Sequence, residues 1–475
     1  MTSLDLRSLL TKKGEKAVIF LSGIGGIGIS AIADILNAYG LAVMGSDLKE
    51  SANTSRLAKA GIKIIIGQKA ENITSSNIDL FIRSSAISDS NPEVVAAKAN
   101  NIPILSRTDI LSAILELKKS VIVSGSHGKT TTTSLIGHIA CSSKLDPTIL
   151  SGGIMNNYNS NAVTGGGDWI IAEADESDGC FNKLSSVISV LTNIEAEHMD
   201  YFKSIEYLKE SFLEYINKVP DLGYNVICYD DKICRELIHK SDKKNIITYG
   251  LNKNADIYAE NIKVEGKTTS FTICSNISKV QFNDNQVTVN LVGNFNVLNT
   301  LAAIIVSKLL KIDEIAIKQS LKSFFGIKRR MTLVGEVNNI SIYDDYAHHP
   351  TEIEVTLKTI KKLSKNKTLA VFQPHRYSRM RDHYDRFIKS LLNADKVIVT
   401  DIFAAGENPI SGIDKESICR DLNIKSENKC SVISNFNELA EKVKLNTNPG
   451  DIVVCLGAGD ITNYANLLPS ELSKI

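Results

Sequence analysis

Apolar residues fall along this chain in short, β-rich runs that alternate with segments of helical spacing, and that alternation predicts an α/β protein built on parallel sheets. The first run, Ala17 to Ser22 (AVIFLS), leads into a cluster of glycines and then into Ser30 to Tyr39, which is spaced as a helix. The expectation is strand, turn, helix. Strand-like runs recur at Lys63 to Ile66 and Asp79 to Ile82, alternating with polar or helical stretches such as Pro92 to Asn100. Asp109 to Lys119 reads as a connecting helix, and Val121 to Val123 opens a new set of strands, which places a boundary near residue 118. That set continues through Trp169 to Ala172, Val187 to Leu191, a helix over Ser204 to Asn217, a strand-rich stretch from Ile257 to Val292 and a long helix from Asn296 to Leu310. The pattern changes again at Phe325 to Arg330, followed by strands at Ser341 to Tyr343, Thr368 to Phe372, Lys396 to Thr400 and Asp451 to Leu456. Three domains are expected, over residues 1–118, 119–326 and 327–475, in keeping with the length of 475 residues.

Composition narrows the classes without choosing among them. With 54 basic against 53 acidic residues the net charge is +1, so no whole-molecule field favours nucleic acid or an anionic bilayer, and phosphate binding has to be local. No apolar run approaches the roughly 18 residues of a membrane span, so no membrane insertion is expected. The eight cysteines are scattered, with none in a C-x-x-C pair, which argues against a zinc site or a disulfide framework and for a reducing compartment, the cytoplasm. No protein partner is implied.

Two glycine-rich turns carry the candidate chemistry. Gly23, Gly25 and Gly28, with Gly26 among them, stand in G-x-G-x-x-G spacing between a strand and a helix, and Asp47 lies near the end of the next strand. Such a turn lets a diphosphate approach backbone N–H groups at a helix N-terminus. It selects a diphosphate without saying which nucleotide carries it. The second turn, Gly125-Ser126-His127-Gly128-Lys129-Thr130-Thr131, follows the strand Val121 to Ser124 and runs into a helix. It is a P-loop variant: the strict pattern would place a glycine at position 123, where Val123 stands. The chemistry needs backbone N–H groups converging on phosphate oxygens, a mobile cation in Lys129 and the Thr130 hydroxyl for Mg²⁺. Mg²⁺ also takes carboxylates, and Glu173, Asp175, Glu176 and Asp178 crowd after the strand Trp169 to Ala172. His198, in TNIEAEHMD after a further strand, is placed to coordinate a second ion.

In that order along the chain, GIGGIGIS, GSHGKTTTT, AEADESD, TNIEAEHMD, FFGIKRRMTLVG, DDYAHHPTEI and FQPHRYSR closely resemble the motifs of the bacterial cell-wall Mur ligases. The resemblance implies a Rossmann-like N-terminal domain for a UDP-substrate, a central P-loop ATPase-like domain and a Rossmann-like C-terminal domain for an amino acid. It implies that the first turn holds the diphosphate of a UDP-sugar, with Asp47, Ser84 and Arg107 in UDP-contacting stretches. Lys129 is then matched to the β- and γ-phosphates, Thr130 and Glu173 to one Mg²⁺ and His198 to a second, and Asn296 and Asn299 to adenine. Arg330 corresponds to the family's γ-phosphate contact and Asp345 to its ribose contact, while Tyr346, His348, Arg376 and Arg379 would line the cleft for the amino acid and the muramoyl carboxylate. A planar guanidinium suits a carboxylate because it grips it through two hydrogen bonds. Phe295 and Met331 depart from the family pattern, which has His and an aromatic there.

The activity so implied is ATP-dependent joining of L-alanine to the carboxylate of UDP-N-acetylmuramate through an acyl phosphate, with catalytic roles for Lys129, His198, Arg330 and His348.

Overall fold

Where short apolar runs alternate with helical spacing, the chain folds into three sheets with helices packed against them. The structure is a computed structural model that describes residues 16–84, 86–176 and 179–475, and within these the side chains of all residues but Cys180 and Asp200. Asp178, part of the acidic stretch read from the sequence, lies outside the described residues. Residues up to Phe325 form one compact unit and Gly326–Ile475 a second.

The first sheet is wholly parallel and has the order β3-β2-β1-β4-β5, with β1 at Val18–Ser22, β2 at Ala42–Asp47, β3 at Lys63–Ile66, β4 at Leu80–Arg83 and β5 at Ile104–Ser106. β1 is buried and rich in β-branched and aromatic residues, and Phe20 stacks on Phe81 of β4 at 5.6 Å between ring centroids. Helix α1, Ile27–Ala38, buries Ile29, Ile32, Ile35 and Leu36 along one stripe and stops at Gly40, whose positive φ of 88° suits a C-terminal cap. Helix α2, Pro92–Ala99, starts where expected because the Asn91 side chain accepts the Glu93 N–H and proline occupies the first turn. The connecting helix begins at Arg107, earlier than its apolar spacing suggests, because Ser106 and Asp109 form a capping box.

The second sheet has ten strands in the order β15-β14-β13-β12-β11-β10-β6-β9-β7-β8. In chain order these are Lys119–Ser124, Thr148–Met155, Ser160–Val163, Trp169–Glu173, Ile188–Leu191, Tyr224–Cys228, Ile246–Gly250, Ile257–Glu265, Thr268–Ser275 and Gln286–Val289. The strand-rich stretch toward Val292 is an antiparallel meander, β13 to β15, at one edge. Helix α3, Lys129–Ser142, follows β6; α4, Ile205–Asn217, and α5, Asn294–Leu309, come later. The third sheet has the order β16-β17-β21-β18-β19-β20, from strands at Thr332–Val337, Ile340–Asp345, Thr368–Phe372, Lys396–Val399, Cys430–Val432 and Ile452–Leu456; β17 leads into α6, Pro350–Leu363. No helix among the described residues is long and apolar enough to cross a membrane. Cys228, Cys234 and Cys455 are buried, whereas Cys141, Cys274, Cys419 and Cys430 are half-buried, so burial accounts for fewer of the thiols than their apolar surroundings suggest.

Tyr215 of α4 is fully buried beside Phe181, and its hydroxyl donates to the carbonyl oxygen of Ile122 in β6 at 2.9 Å. Tyr215→Phe keeps the ring and removes that bond, so it should cost about 1 kcal/mol and lower the melting temperature by roughly 2 °C in a thermal scan. An unchanged midpoint would mean that the bond adds nothing to the anchoring of β6.

Candidate active site

β6 ends at the phosphate loop. Val123 sits inside the ladder, paired with Glu173 of β9 and Val190 of β10, so the strand continues past the point where a longer loop would begin with glycine. Gly125 and Gly128 take φ of 124° and 85°, conformations that L side chains rarely adopt, and a Cβ on Gly125 would lie 2.3 Å from the Thr192 hydroxyl. The N–H of Ser126 donates to the Asn193 carbonyl and that of His127 to the Asn193 side chain, both at 2.9 Å. The Ser126 and His127 amides are thus committed to Asn193, whereas those from Gly128 through Thr131 lie at the N-terminus of α3, where a helix leaves its N–H groups without intrahelical partners.

Lys129 is fixed by acceptors on three sides: its Nζ donates to the carbonyls of Gly125 at 2.6 Å and Ser126 at 3.1 Å, and to Glu176 at 2.8 Å. Burial works against the ammonium, but the carboxylates of Glu176, Glu173 and Asp175 outweigh it and hold Lys129 above the ordinary lysine range. Burial also pushes the Glu176 carboxyl up to about 7, against the pull of Lys129. Thr130 donates its hydroxyl to Glu173 at 3.0 Å, and the other oxygen of Glu173 accepts the Gly152 N–H at 2.7 Å. Thr131 is buried on the same first turn.

His198, in the left-handed region with φ of 55°, lies 3.9 Å from Glu176 and 4.0 Å from Glu197. One ligand atom from each of Glu176, Glu197 and His198 lies within 4.8 Å of the others, a spacing and a donor set of two carboxylates and an imidazole that fit a divalent cation. Asn296 and Asn299 are buried behind the loop: Asn299 accepts from the Thr132 hydroxyl at 3.2 Å and donates to Asn296, which donates to the Val292 carbonyl. A Cβ on Gly128 would lie 2.5 Å from Asn299 Oδ1, so this asparagine sets how closely the loop backs onto α5.

The first glycine turn is clamped by Asp47, whose Oδ2 accepts the Gly25 N–H and whose Oδ1 accepts that of Leu48, both at 2.8 Å. Gly26 donates to the Gly23 carbonyl, and Ser84 donates its N–H to Ser22, the residue before Gly23. Side chains at Gly23 and Gly28 would meet Ser84 and Arg107 at 3.0 Å and 2.9 Å, so Ser84 and Arg107 stand directly over the turn. Arg107 also lies 3.9 Å from Asp175 of the acidic stretch after β9, which brings the glycine turn and the phosphate-loop acids into one neighbourhood.

In the second unit, Arg330 lies 3.7 Å from Glu352 and over the ring of Tyr346, as does Arg329. His348 donates through Nδ1 to the Tyr346 carbonyl at 3.0 Å and lies 3.3 Å from Glu352. Burial, with His348, Arg379 and Arg376 adding to it, pushes His375 down to about 3, so its Nδ1 accepts from Arg379 at 3.0 Å. Arg376 takes a φ of 69°, and its N–H donates to the Phe403 carbonyl. Asp345 is buried and accepts the N–H groups of Met331 and Ala347; burial raises it to about 6. The departure at Met331 leaves its backbone bond to Asp345 intact.

Glu176, Glu197, Asn193 and Glu352 were not singled out as site residues by sequence reasoning. Only the acidic crowding after β9 pointed toward Glu176.

Three family descriptions match the chain: "Mur ligase family, catalytic domain" over residues 19–119, "Mur ligase middle domain" over 123–307 and "Mur ligase, glutamate ligase domain" over 329–459. A UDP-N-acetylmuramate–L-alanine ligase of Parvibaculum lavamentivorans is 42% identical over 459 residues, covering 96% of this chain and 93% of its own. One of Rickettsia bellii is 42% identical over 465 residues, covering 96% and 97%. The crystal structure of a UDP-N-acetylmuramate-alanine ligase from Thermotoga maritima superposes with a TM-score of 0.81 at 28% identity, covering 96% of this chain and 99% of that one. The chain belongs to the Mur ligase family.

Proposed function

We propose that this protein joins L-alanine to the carboxylate of UDP-N-acetylmuramate at the expense of ATP, a step of peptidoglycan precursor synthesis carried out in the cytoplasm. The observation that carries the reading is Arg107: it stands over the diphosphate-type turn at Gly28 and reaches toward Asp175 beside the phosphate loop. A substrate carboxylate held from the first turn and the terminal phosphate of a nucleotide in the second would meet in that neighbourhood. The identity of the two substrates is supported by the relatives, which are UDP-N-acetylmuramate–L-alanine ligases.

A carboxylate resists nucleophiles, so it has to be activated first. One of its oxygens attacks the γ-phosphorus of ATP and ADP leaves; the amine of alanine then attacks the acyl carbon, inorganic phosphate leaves and the nitrogen loses a proton. Little covalent chemistry falls to the protein, and its contribution is position and charge. We assign Lys129 and the α3 N-terminus to the β- and γ-phosphates, Asn296 and Asn299 to the adenine side of the loop, and Arg330 to the γ-phosphate. Asp345 is assigned to the ribose, and Tyr346, His348, Arg376 and Arg379 to the amino acid and the muramoyl carboxylate. Thr130 with Glu173, and Glu176 with Glu197 and His198, would hold Mg²⁺. Bound there, it would offset the negative charge of the phosphates. On this assignment residues 1–118 serve the UDP-sugar, 119–326 the nucleotide and 327–475 the amino acid.

Phosphate release in the presence of ATP and UDP-N-acetylmuramate tests the reaction directly. It should be fastest with L-alanine, slower with L-serine or glycine and absent with a tripeptide; preference for the tripeptide would instead identify a peptide-recycling ligase. Lys129→Ala should lower turnover by about 10²- to 10³-fold, the loss expected when one stabilising donor is removed. Near-normal turnover would remove Lys129 from the phosphate site. His198→Ala should raise the Mg²⁺ concentration for half-maximal rate by about tenfold or more, and an unchanged Mg²⁺ dependence would take His198 out of the metal set.

A further inference from the structure

Beneath the first glycine turn lies a carboxylate that no step above uses. Glu93, in the first turn of α2, is fully buried. Its Oε2 accepts the hydroxyl of Ser22 at 2.5 Å and that of Ser46 at 2.7 Å, and its Oε1 accepts the Asn72 side-chain amide at 2.7 Å. All three donors are neutral. Each serine hydroxyl donates its proton to this one oxygen, so both rotors are locked. A group buried this deeply is costly unless its hydrogen bonds are made, which gives the arrangement little freedom to relax.

The two serines are the hinge points of the turn. Ser22 ends β1 and precedes Gly23; its carbonyl accepts the N–H of Ser84 at 3.1 Å. Ser46 precedes Asp47, and its carbonyl accepts the N–H groups of both Gly23 and Ile24 at 2.9 Å. Asp47 in turn accepts the Gly25 N–H. Gln68 and Asn91 close the ring: Asn91 donates to Gln68 at 2.8 Å, and Gln68 lies 3.4 Å from the Ser22 hydroxyl. One buried side chain thus fixes the ends of two adjacent strands, and through them Gly23, Gly25, Asp47 and Ser84.

We propose that Glu93 is a positioning residue for the nucleotide-sugar: by tying Ser22 to Ser46 it sets the geometry of the glycine turn, and affinity for the UDP-sugar depends on it although it touches no substrate. The proposal rests on the reading of the first turn as the UDP-sugar site. Titration of UDP-N-acetylmuramate into the full-length protein by calorimetry, without ATP, separates the two. Binding by the wild type that Glu93→Ala weakens by about tenfold or more is the expected result. Glu93→Gln should recover part of the loss, because its one carbonyl oxygen can still accept both serine hydroxyls while its amide faces the Asn72 donor. In steady-state kinetics the KM for the UDP-sugar should rise, with kcat and the KM for ATP within about twofold of wild type.

Ser46→Ala removes a single hydroxyl and serves if Glu93→Ala does not fold. It should weaken UDP-sugar binding by itself and, where Glu93→Ala folds, add little in the Ser46→Ala/Glu93→Ala double variant, since the two groups share one interaction. Variants that bind the UDP-sugar as tightly as wild type, or that lose kcat at unchanged KM, would overturn the positioning role and leave the proposed function standing. A wild type that does not bind UDP-N-acetylmuramate would overturn both.

Discussion

Everything at the phosphate loop is arranged around one buried cation. Lys129 is held by two carbonyls of its own loop and by a carboxylate that is itself almost wholly enclosed. Taking an ammonium and a carboxylate out of water costs several kcal/mol per ion, and the attraction between them repays it only when the remaining donors and acceptors are also matched. Here they are matched on the lysine side by the loop carbonyls, so the charge is met before any nucleotide arrives. The same requirement explains the tightness of the loop: Gly125 and Gly128 turn their backbones where side chains would strike Thr192 and Asn299.

Within each sheet, topology decides which residues share one edge. In each sheet the strand order reverses at one strand, β1 between β2 and β4, β6 between β10 and β9, and β21 between β17 and β18. At such a switch point the connections leave on opposite sides and a crevice opens beyond the carboxyl ends of the strands. The residues with chemistry follow those ends: Gly23 after β1, Gly125 after β6, Glu173 closing β9, His198 beyond β10, Tyr346 after β17 and His375 beyond β18. Parallel strands make this economical, because one edge of the sheet collects every loop that follows a strand.

This logic also marks what the sequence could reveal. Glycine turns were legible because a strand, a tight turn and a helix are contiguous, and the glycines are needed for local reasons. Many of the parallel strands were legible as apolar runs, β5, β11, β12 and β20 excepted. β7 and β8 were not, since the Ser151-Gly152-Gly153 segment breaks the apolar pattern, and the early start of the helix at Arg107 depends on a cap rather than on periodicity. Site residues that act through tertiary contact left no local trace. Asn193 meets the loop from 66 positions away, and Glu93 meets Ser22 from 71.

The second unit carries a different constraint, in its backbone. Arg329, Met331 and Arg376 take φ of 63°, 50° and 69°, a region costly for residues with a Cβ and kept only where the surroundings over-determine it. At Met331 that determination comes from Asp345: Oδ2 accepts the Met331 N–H at 2.7 Å, while Oδ1 accepts the Ala347 N–H at 2.8 Å and lies 3.4 Å from the Thr356 hydroxyl. A carboxylate offers about four acceptor positions, so most of Asp345 is committed to the fold and about one position is left for a ligand hydroxyl. Any ligand hydroxyl bound there would meet a group already held rigid by the bonds that fix Met331 and Ala347, so Asp345 offers a pre-set acceptor rather than a free charge.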